Sequence, residues 1–256
     1  MQIARTIAEV RRLLEPRRAG RVGLVPTMGA FHAGHVSLFD QARRECDTVV
    51  VSSFVNPTQF GEQADLDRYP RDEARDTEIA ERAGVDLIFA PAATEIYPEG
   101  FNTWVEVESL SHILEGAFRP GHFRGVATVC LKLFNIVGPN SVYFGQKDAQ
   151  QVEVIRRLLR DLDLPIALRV MPTVRDADGL ALSSRNVRLS AADRERALAL
   201  PRALATGDLE KARAMLQGLD VDYVELAPFS PPVIAAAVRI GEVRLIDNVL
   251  VGGDKP

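Results

Sequence analysis

Apolar positions recur along this chain in two textures, and the change from one to the other divides it. Val22, Leu24 and Val25 form a short apolar run leading into a loop that holds Pro26, Gly29 and Gly34. From Gly34 to Ala42 the apolar positions Val36, Leu38, Phe39 and Ala42 fall at helical spacing, and the β-branched run over 47–55 predicts a second buried strand. A helix over 72–83 and a strand over 85–91 repeat the alternation. Beyond an irregular, glycine-containing stretch at 110–125, an apolar helix is expected over 126–137 and a short strand over 141–144. An amphipathic helix over 148–162 follows, with Val152, Ile155, Leu158 and Leu159 on one face, and then a strand over 168–174. The segment 3–14 reads as a basic amphipathic helix covering the sheet.

Strand, loop, helix and strand in repetition imply an α/β fold, a Rossmann-like doubly wound parallel sheet whose ligands bind at the carboxyl ends of its strands. After Arg175 the alternation stops. Ser190 is placed to cap a helix from Ala191, which Pro201 should end or kink for want of an N–H and through a ring clash. A helix over 208–216 and strands over 222–226, 235–240 and 243–251 then give an α+β pattern. The expected division is therefore residues 1–173, a nucleotide-type sheet domain, and residues 174–256, a smaller α+β lid. Of 256 residues, 46% are hydrophobic, enough for a sizeable core, and the net charge of −4 argues against nucleic-acid binding by bulk electrostatics. Cys46 and Cys130 are too isolated for a disulfide framework or a thiolate metal site. With no amino-terminal apolar h-region and no apolar stretch long enough to span a bilayer, the expectation is a cytoplasmic chain without a membrane partner.

Candidate chemistry gathers at three loops. His32 and His35, three residues apart at a helix start, share one face, where free backbone N–H groups and the positive dipole end favour phosphate. The alternative is that His32 caps the helix and His35 is a partner in its packing. In the second loop, Gly145, Lys147 and Asp148 stand at a strand end before a helix. Lys147 is suited to meet a phosphate as a point charge, and Asp148 to bind a ribose hydroxyl or to act only as an N-cap. In the third, from Asp178 to Asn186, two hydroxyls and an arginine follow a glycine, a composition that suits closure over a triphosphate or an ordinary polar turn.

The blocks Pro26 to His35, Phe54 to Gly61, Arg119 to Val126, Lys132 to Asn135, Phe144 to Gln151 and Asp178 to Asn186 resemble, in order, the signature blocks of the pantothenate synthetase (pantoate–β-alanine ligase) family. His32-Ala33-Gly34-His35 by itself resembles only the HIGH motif of the wider nucleotidylyltransferase superfamily. Asn56 to Phe60 and the Gln150-Gln151 pair select the narrower family. The resemblance implies ATP-dependent ligation of (R)-pantoate to β-alanine through a pantoyl-adenylate, releasing AMP and pyrophosphate.

On that resemblance Met28, Gly29, Ala30, Phe31, His32, Ala33, Gly34 and His35 hold ATP, as do Gly145, Gln146, Lys147, Asp148, Val174, Leu182, Ser183, Ser184 and Arg185. His35, His32, Lys147 and Arg185 are the catalytic group, with the family's proton donor at His35. Gln59 and Gln151 fall on pantoate, Gln59 also near β-alanine, and Arg119 and His122 are second-rank site residues. Mg²⁺ is implied beside the phosphates, with Asp76 at an acidic position near the metal; Arg75 stands where a neighbouring acid is common. A homodimer through the larger domain is implied as well. The stretch 190–218 is more compact than the family's usual helical segment. Two rival readings are weighed by single features: an adenylyltransferase acting on a phosphorylated substrate fits poorly with uncharged Gln59 and Gln151, and a catalytically inert nucleotide sensor fits poorly with intact His32, His35, Lys147 and Arg185.

Overall fold

The computed structural model describes residues 1–61 and 63–252, and the chain divides into two compact units. The first comprises Met1–Phe144 with Val154–Met171, and the second Gly145–Glu153 with the chain from Pro172 onward.

Six strands make the sheet of the first unit: β1 (Gln2–Ala4), β2 (Val22–Thr27), β3 (Thr48–Ser53), β4 (Leu87–Phe89), β5 (Ser141–Gly145) and β6 (Ala167–Met171), in the order β1-β4-β3-β2-β5-β6. Parallel pairings join β1 to β4, β4 to β3, β3 to β2 and β2 to β5. The chain steps away from β2 on one side through β3 and β4, then returns to its other side for β5 and β6. Order therefore reverses beside β2, and the crevice at the carboxyl end of such a reversal is where open α/β sheets bind ligands. Both faces are covered, so the strands carry unbroken apolar runs: Val49, Val50 and Val51 are fully buried. The helix Ala33–Glu45 lays Leu38, Phe39 and Ala42 into this core, where Phe31 meets Phe39 edge-on with ring centroids 5.1 Å apart. Pro26 sits in the central strand at no cost in pairing, because β2 meets β5 only at Gly23 and Leu24.

Three expectations change in this unit. The amphipathic helix of 3–14 is shorter, running over Ile7–Leu14, while Gln2–Ala4 is an edge strand. A capping box explains the break: the Glu9 N–H donates to Thr6 Oγ1 at 3.2 Å and the Thr6 N–H to Glu9 Oε2 at 3.0 Å, which starts the helix after Thr6. The apolar helix of 126–137 begins earlier, at His122, with Gly121 before it in the left-handed region at φ 81°. Gly125 then lies inside it, since a Cβ there would stand 2.6 Å from the carbonyl oxygen of Thr58. The strand of 168–174 stops at Met171.

In the second unit β7 (Asp220–Ala227), β8 (Val233–Ile240) and β9 (Val243–Leu250) form an antiparallel sheet, as the α+β pattern predicts. Ile234, Ala236, Val238 and Ile240, two residues apart on β8, join Leu200, Leu204 and Leu216 in one core. Ser190 caps the helix Ala191–Ala197, accepting from the Asp193 N–H at 3.1 Å. The chain breaks at Leu198 instead of Pro201, which stands in the first turn of the next helix, Ala199–Leu204. A first-turn residue has no intrahelical acceptor for its N–H, so the missing proton costs nothing there. Among the described residues no helix is long and apolar enough to cross a membrane.

Candidate active site

Strands β2 and β3 end in step, Thr27 against Ser53, so the loops that leave them start side by side. Thr27 Oγ1 donates to the Ser52 carbonyl at 2.5 Å and accepts from the Gly29 N–H at 3.2 Å, turning the chain at once. Gly29 and Ala30 both take left-handed backbone, φ 81° and 54°, and the second is strained because alanine carries a Cβ. Asp76, buried on the helix Glu73–Arg82, holds them there: its two carboxylate oxygens accept from the Ala30 and Phe31 N–H groups, each at 2.7 Å. Burial pushes the Asp76 carboxyl above its ordinary range, against the pull of these two amides.

Beyond that turn the histidines cap their own helix. The Gly34 N–H donates to His32 Nδ1 at 3.1 Å and the His32 N–H to His35 Nδ1 at 3.3 Å, a reciprocal box in which imidazoles take the parts usual for serine and glutamate. His32 thus caps the helix and His35 reaches back to it, and this arrangement has a chemical consequence. A ring that accepts at Nδ1 is neutral and carries its proton on Nε2, so both rings, 4.1 Å apart, are set as Nε2–H donors at a helix start.

Gln59 closes the 3₁₀ turn Pro57–Gln59 after β3 and is buried. Its Nε2 donates to Met28 Sδ at 3.1 Å and its Oε1 accepts from Asn56 Nδ2 at 3.0 Å, so the loops of β2 and β3 meet at this side chain. The Gln59 carbonyl accepts from Arg119 Nη2 at 3.2 Å and lies 2.8 Å from His122 Nδ1, which places that ring's proton on Nδ1. The tight approach at Gly125 seats the helix against this turn. Met28, Gln59, Arg119 and His122, far apart in sequence, are therefore one cluster, to which the structure adds Asn56. Asn56 donates to the Gly125 carbonyl at 3.2 Å and accepts from Tyr97 Oη at 2.9 Å.

The second unit carries its candidates on two segments. Gln146–Asp148 is a 3₁₀ turn, with Lys147 Nζ 3.8 Å from Asp148 Oδ1, and the helix Ala149–Asp161 continues from it with half-buried Gln151 in its first turn. Val174 and Leu182 face each other across a narrow hairpin, the Leu182 N–H donating to the Val174 carbonyl at 3.0 Å. Arg194 ties its turn by reaching Asp176 at 2.6 Å and Asp178 at 2.8 Å. Ser183 then caps the 3₁₀ turn Ser184–Arg188 by accepting from the Arg185 N–H at 3.3 Å.

Among the described residues no group of three or more His, Cys, Asp or Glu is arranged to hold a metal ion, and both Asp76 oxygens are engaged by loop amides. The residues present do not fit a protein-built Mg²⁺ site. Asp247 and Asn248, in a stretch that resembles the family's ending, receive no site role from the sequence; the structure shows them as buried polar residues inside the apolar strand β9.

Comparison with known proteins adds an independent finding. The family model described as pantoate-beta-alanine ligase matches residues 2–250. The chain is 51% identical over 269 residues to a pantothenate synthetase of Heliobacterium modesticaldum, covering 93% of this chain and 94% of that one. It is 49% identical to one from Chloroflexus aurantiacus, covering 99% of each; that alignment, at 282 residues, is longer than this chain, so the relative carries residues absent here. A crystal structure of pantothenate synthetase from Thermus thermophilus superposes with a TM-score of 0.92 at 46% identity, covering 98% of this chain and 99% of that one. A pantoate-beta-alanine ligase from Francisella tularensis, complexed with beta-gamma ATP and beta-alanine, superposes with a TM-score of 0.88 at 39% identity, covering 98% and 97%.

Proposed function

The chain belongs to the pantoate–β-alanine ligase family, an enzyme that joins pantoate to β-alanine, and we propose that it does so by adenylating pantoate with its neutral histidine pair directed at the phosphates of ATP. A pantoate carboxylate oxygen attacks the α-phosphorus, the bond to the pyrophosphate oxygen breaks, and pyrophosphate leaves. The β-alanine amine then attacks the acyl carbon, AMP departs with the phosphorus–oxygen link intact, and the amine loses a proton. Charge accumulates on phosphate oxygens in the first step, so fixed donors lower its barrier.

The observation that carries this reading is the reciprocal cap: occupied Nδ1 atoms put an N–H on Nε2 of His32 and of His35. In the first unit, Met28 to His35 hold ATP, and Gln59 meets pantoate and lies near β-alanine, its carbonyl braced by Arg119 and His122. In the second, Gly145 to Asp148, Val174 and Leu182 to Arg185 serve the nucleotide, Lys147 and Arg185 its phosphates, and Gln151 serves pantoate. The Francisella complex with ATP and β-alanine supports these substrates. Mg²⁺ enters as part of the magnesium–ATP substrate, carried by phosphate oxygens rather than by a cage of side chains. A homodimer and a cytoplasmic location complete the reading on family resemblance.

The test is isotope exchange. Labelled pyrophosphate should enter ATP only when pantoate is present, and AMP should accumulate only once β-alanine is added. Exchange independent of pantoate would overturn the adenylation of pantoate, and ATP binding without any exchange would favour a sensor.

A further inference from the structure

Strand β9 lies outside every segment that the family resemblance gives to the nucleotide, yet two of its residues grip such segments. Asn248, 5% exposed, uses its whole amide. Its Nδ2 donates to the carbonyls of Gln146 and Lys147, both at 2.9 Å, and its Oδ1 accepts from Gln146 Nε2 at 3.1 Å. The three contacts fix which end of the amide is nitrogen, because a flipped group would set an oxygen against two carbonyl oxygens. The turn has no side-chain cap at its own start, where Gly145 has no side chain to offer.

The neighbouring residue acts in parallel. Asp247 accepts from Arg175 Nη1 at 2.6 Å and Nη2 at 3.0 Å, and its Oδ1 also takes the Asn248 N–H at 2.8 Å. Arg175 follows Val174 on the hairpin that leads to Leu182. One dipeptide of one strand thus holds the Lys147 turn by its backbone and the Val174 hairpin by a charge pair.

We propose that Asn248 is a positioning residue for Lys147, fixing the backbone from which its ammonium reaches a nucleotide phosphate. Lysine is a point charge on a flexible four-carbon stem, so the region its Nζ sweeps is set by where its backbone is held. A carbonyl tied on each side of the Cα of Lys147 confines that region without touching the ligand. The inference rests on the reading of Lys147 as a phosphate contact.

A double-mutant cycle on the full chain separates the two claims. ATP dissociation constants are measured by calorimetry for Lys147→Ala, Asn248→Ala and the pair, with thermal unfolding alongside. Lys147→Ala should weaken ATP binding tenfold or more, and Asn248→Ala about fivefold, as expected for the loss of one well-placed hydrogen-bonded contact. The pair should bind no more weakly than Lys147→Ala, since Asn248 acts through that lysine. If the losses multiply, or if Asn248→Ala binds ATP like the parent, the positioning role is wrong. If Lys147→Ala binds ATP like the parent, it is the phosphate contact that falls. Should Asn248→Ala fail to fold, Asn248→Ser, which keeps a single donor, completes the same cycle on the same criteria.

Discussion

The loop after β2 and the hairpin of the second unit are both candidate phosphate-handling backbone, but different forces hold them. The first is fixed from inside: a buried carboxylate takes two adjacent amides, two rings cap their own helix, and a left-handed alanine is held in a conformation it would otherwise leave. The base of the second is held by the buried Asp247 through Arg175, but its tip is tied from outside, by Arg194 reaching Asp176 and Asp178 with side chains that are about one-third exposed. Buried hydrogen bonds to a charged group lose much when one partner goes, whereas exposed ion pairs are weak because water and salt screen them. The first loop is accordingly preorganised, as donors aimed at developing charge must be, while the tip of the second is held by pairs that water and salt weaken.

The largest effect expected from that contrast is chemical. His35→Ala removes both an Nε2–H donor and the acceptor of the His32 N–H, so pantoate-dependent exchange should fall about 100- to 1000-fold with the circular dichroism spectrum unchanged. A parental rate would show that the reciprocal cap serves only the helix.

A smaller effect concerns stability. Asp76→Asn turns one accepting oxygen into an N–H₂ group facing a backbone N–H, and should lower unfolding free energy by about 1–3 kcal/mol in denaturant melts. Asp178→Asn, at the exposed pair, should leave the melting midpoint nearly where it was. Equal shifts in the two variants would erase the distinction between the regions.

The smallest effect lies in the order of protonation, followed by carboxyl carbon chemical shifts as pH is lowered. Burial raises the Asp76 carboxyl, despite the Phe31 and Ala30 amides, so it should titrate above the ordinary value of 3.8. The Arg194 guanidinium, helped by the Leu180 amide, holds Asp178 below it. Linkage then gives opposite signs. The folded chain binds the Asp76 proton more tightly than the unfolded chain, so acidification through that value favours folding. The contribution of Asp178 is complete above its unfolded value and is lost as pH falls through the lower folded one. A reversed order of titration would contradict the burial ascribed to Asp76.

Much of the fold was legible because its causes are local. Val49 to Val51 read as a buried strand from their own side chains, Ser190 marked a helix start, and the change after Arg175 announced a separate α+β region with three strands. Where local signals were overridden, a specific interaction explains it: the Thr6–Glu9 box moved a helix start, and a first-turn position made Pro201 harmless.

The chain by itself determined the order of strands and helices, the position of the two histidines at a helix start, and the family whose motifs it carries, all of which depend on residue type and spacing over short stretches. Tertiary structure alone decided how the backbones of those motifs are held. Asp76 reaches amides more than forty residues away, Gly125 admits the Gln59 turn, and Asn248 holds carbonyls about a hundred residues earlier. A hydrogen bond is decided by distance and direction within a few tenths of an ångström, and contacts between distant segments acquire that geometry only when the chain has folded around them.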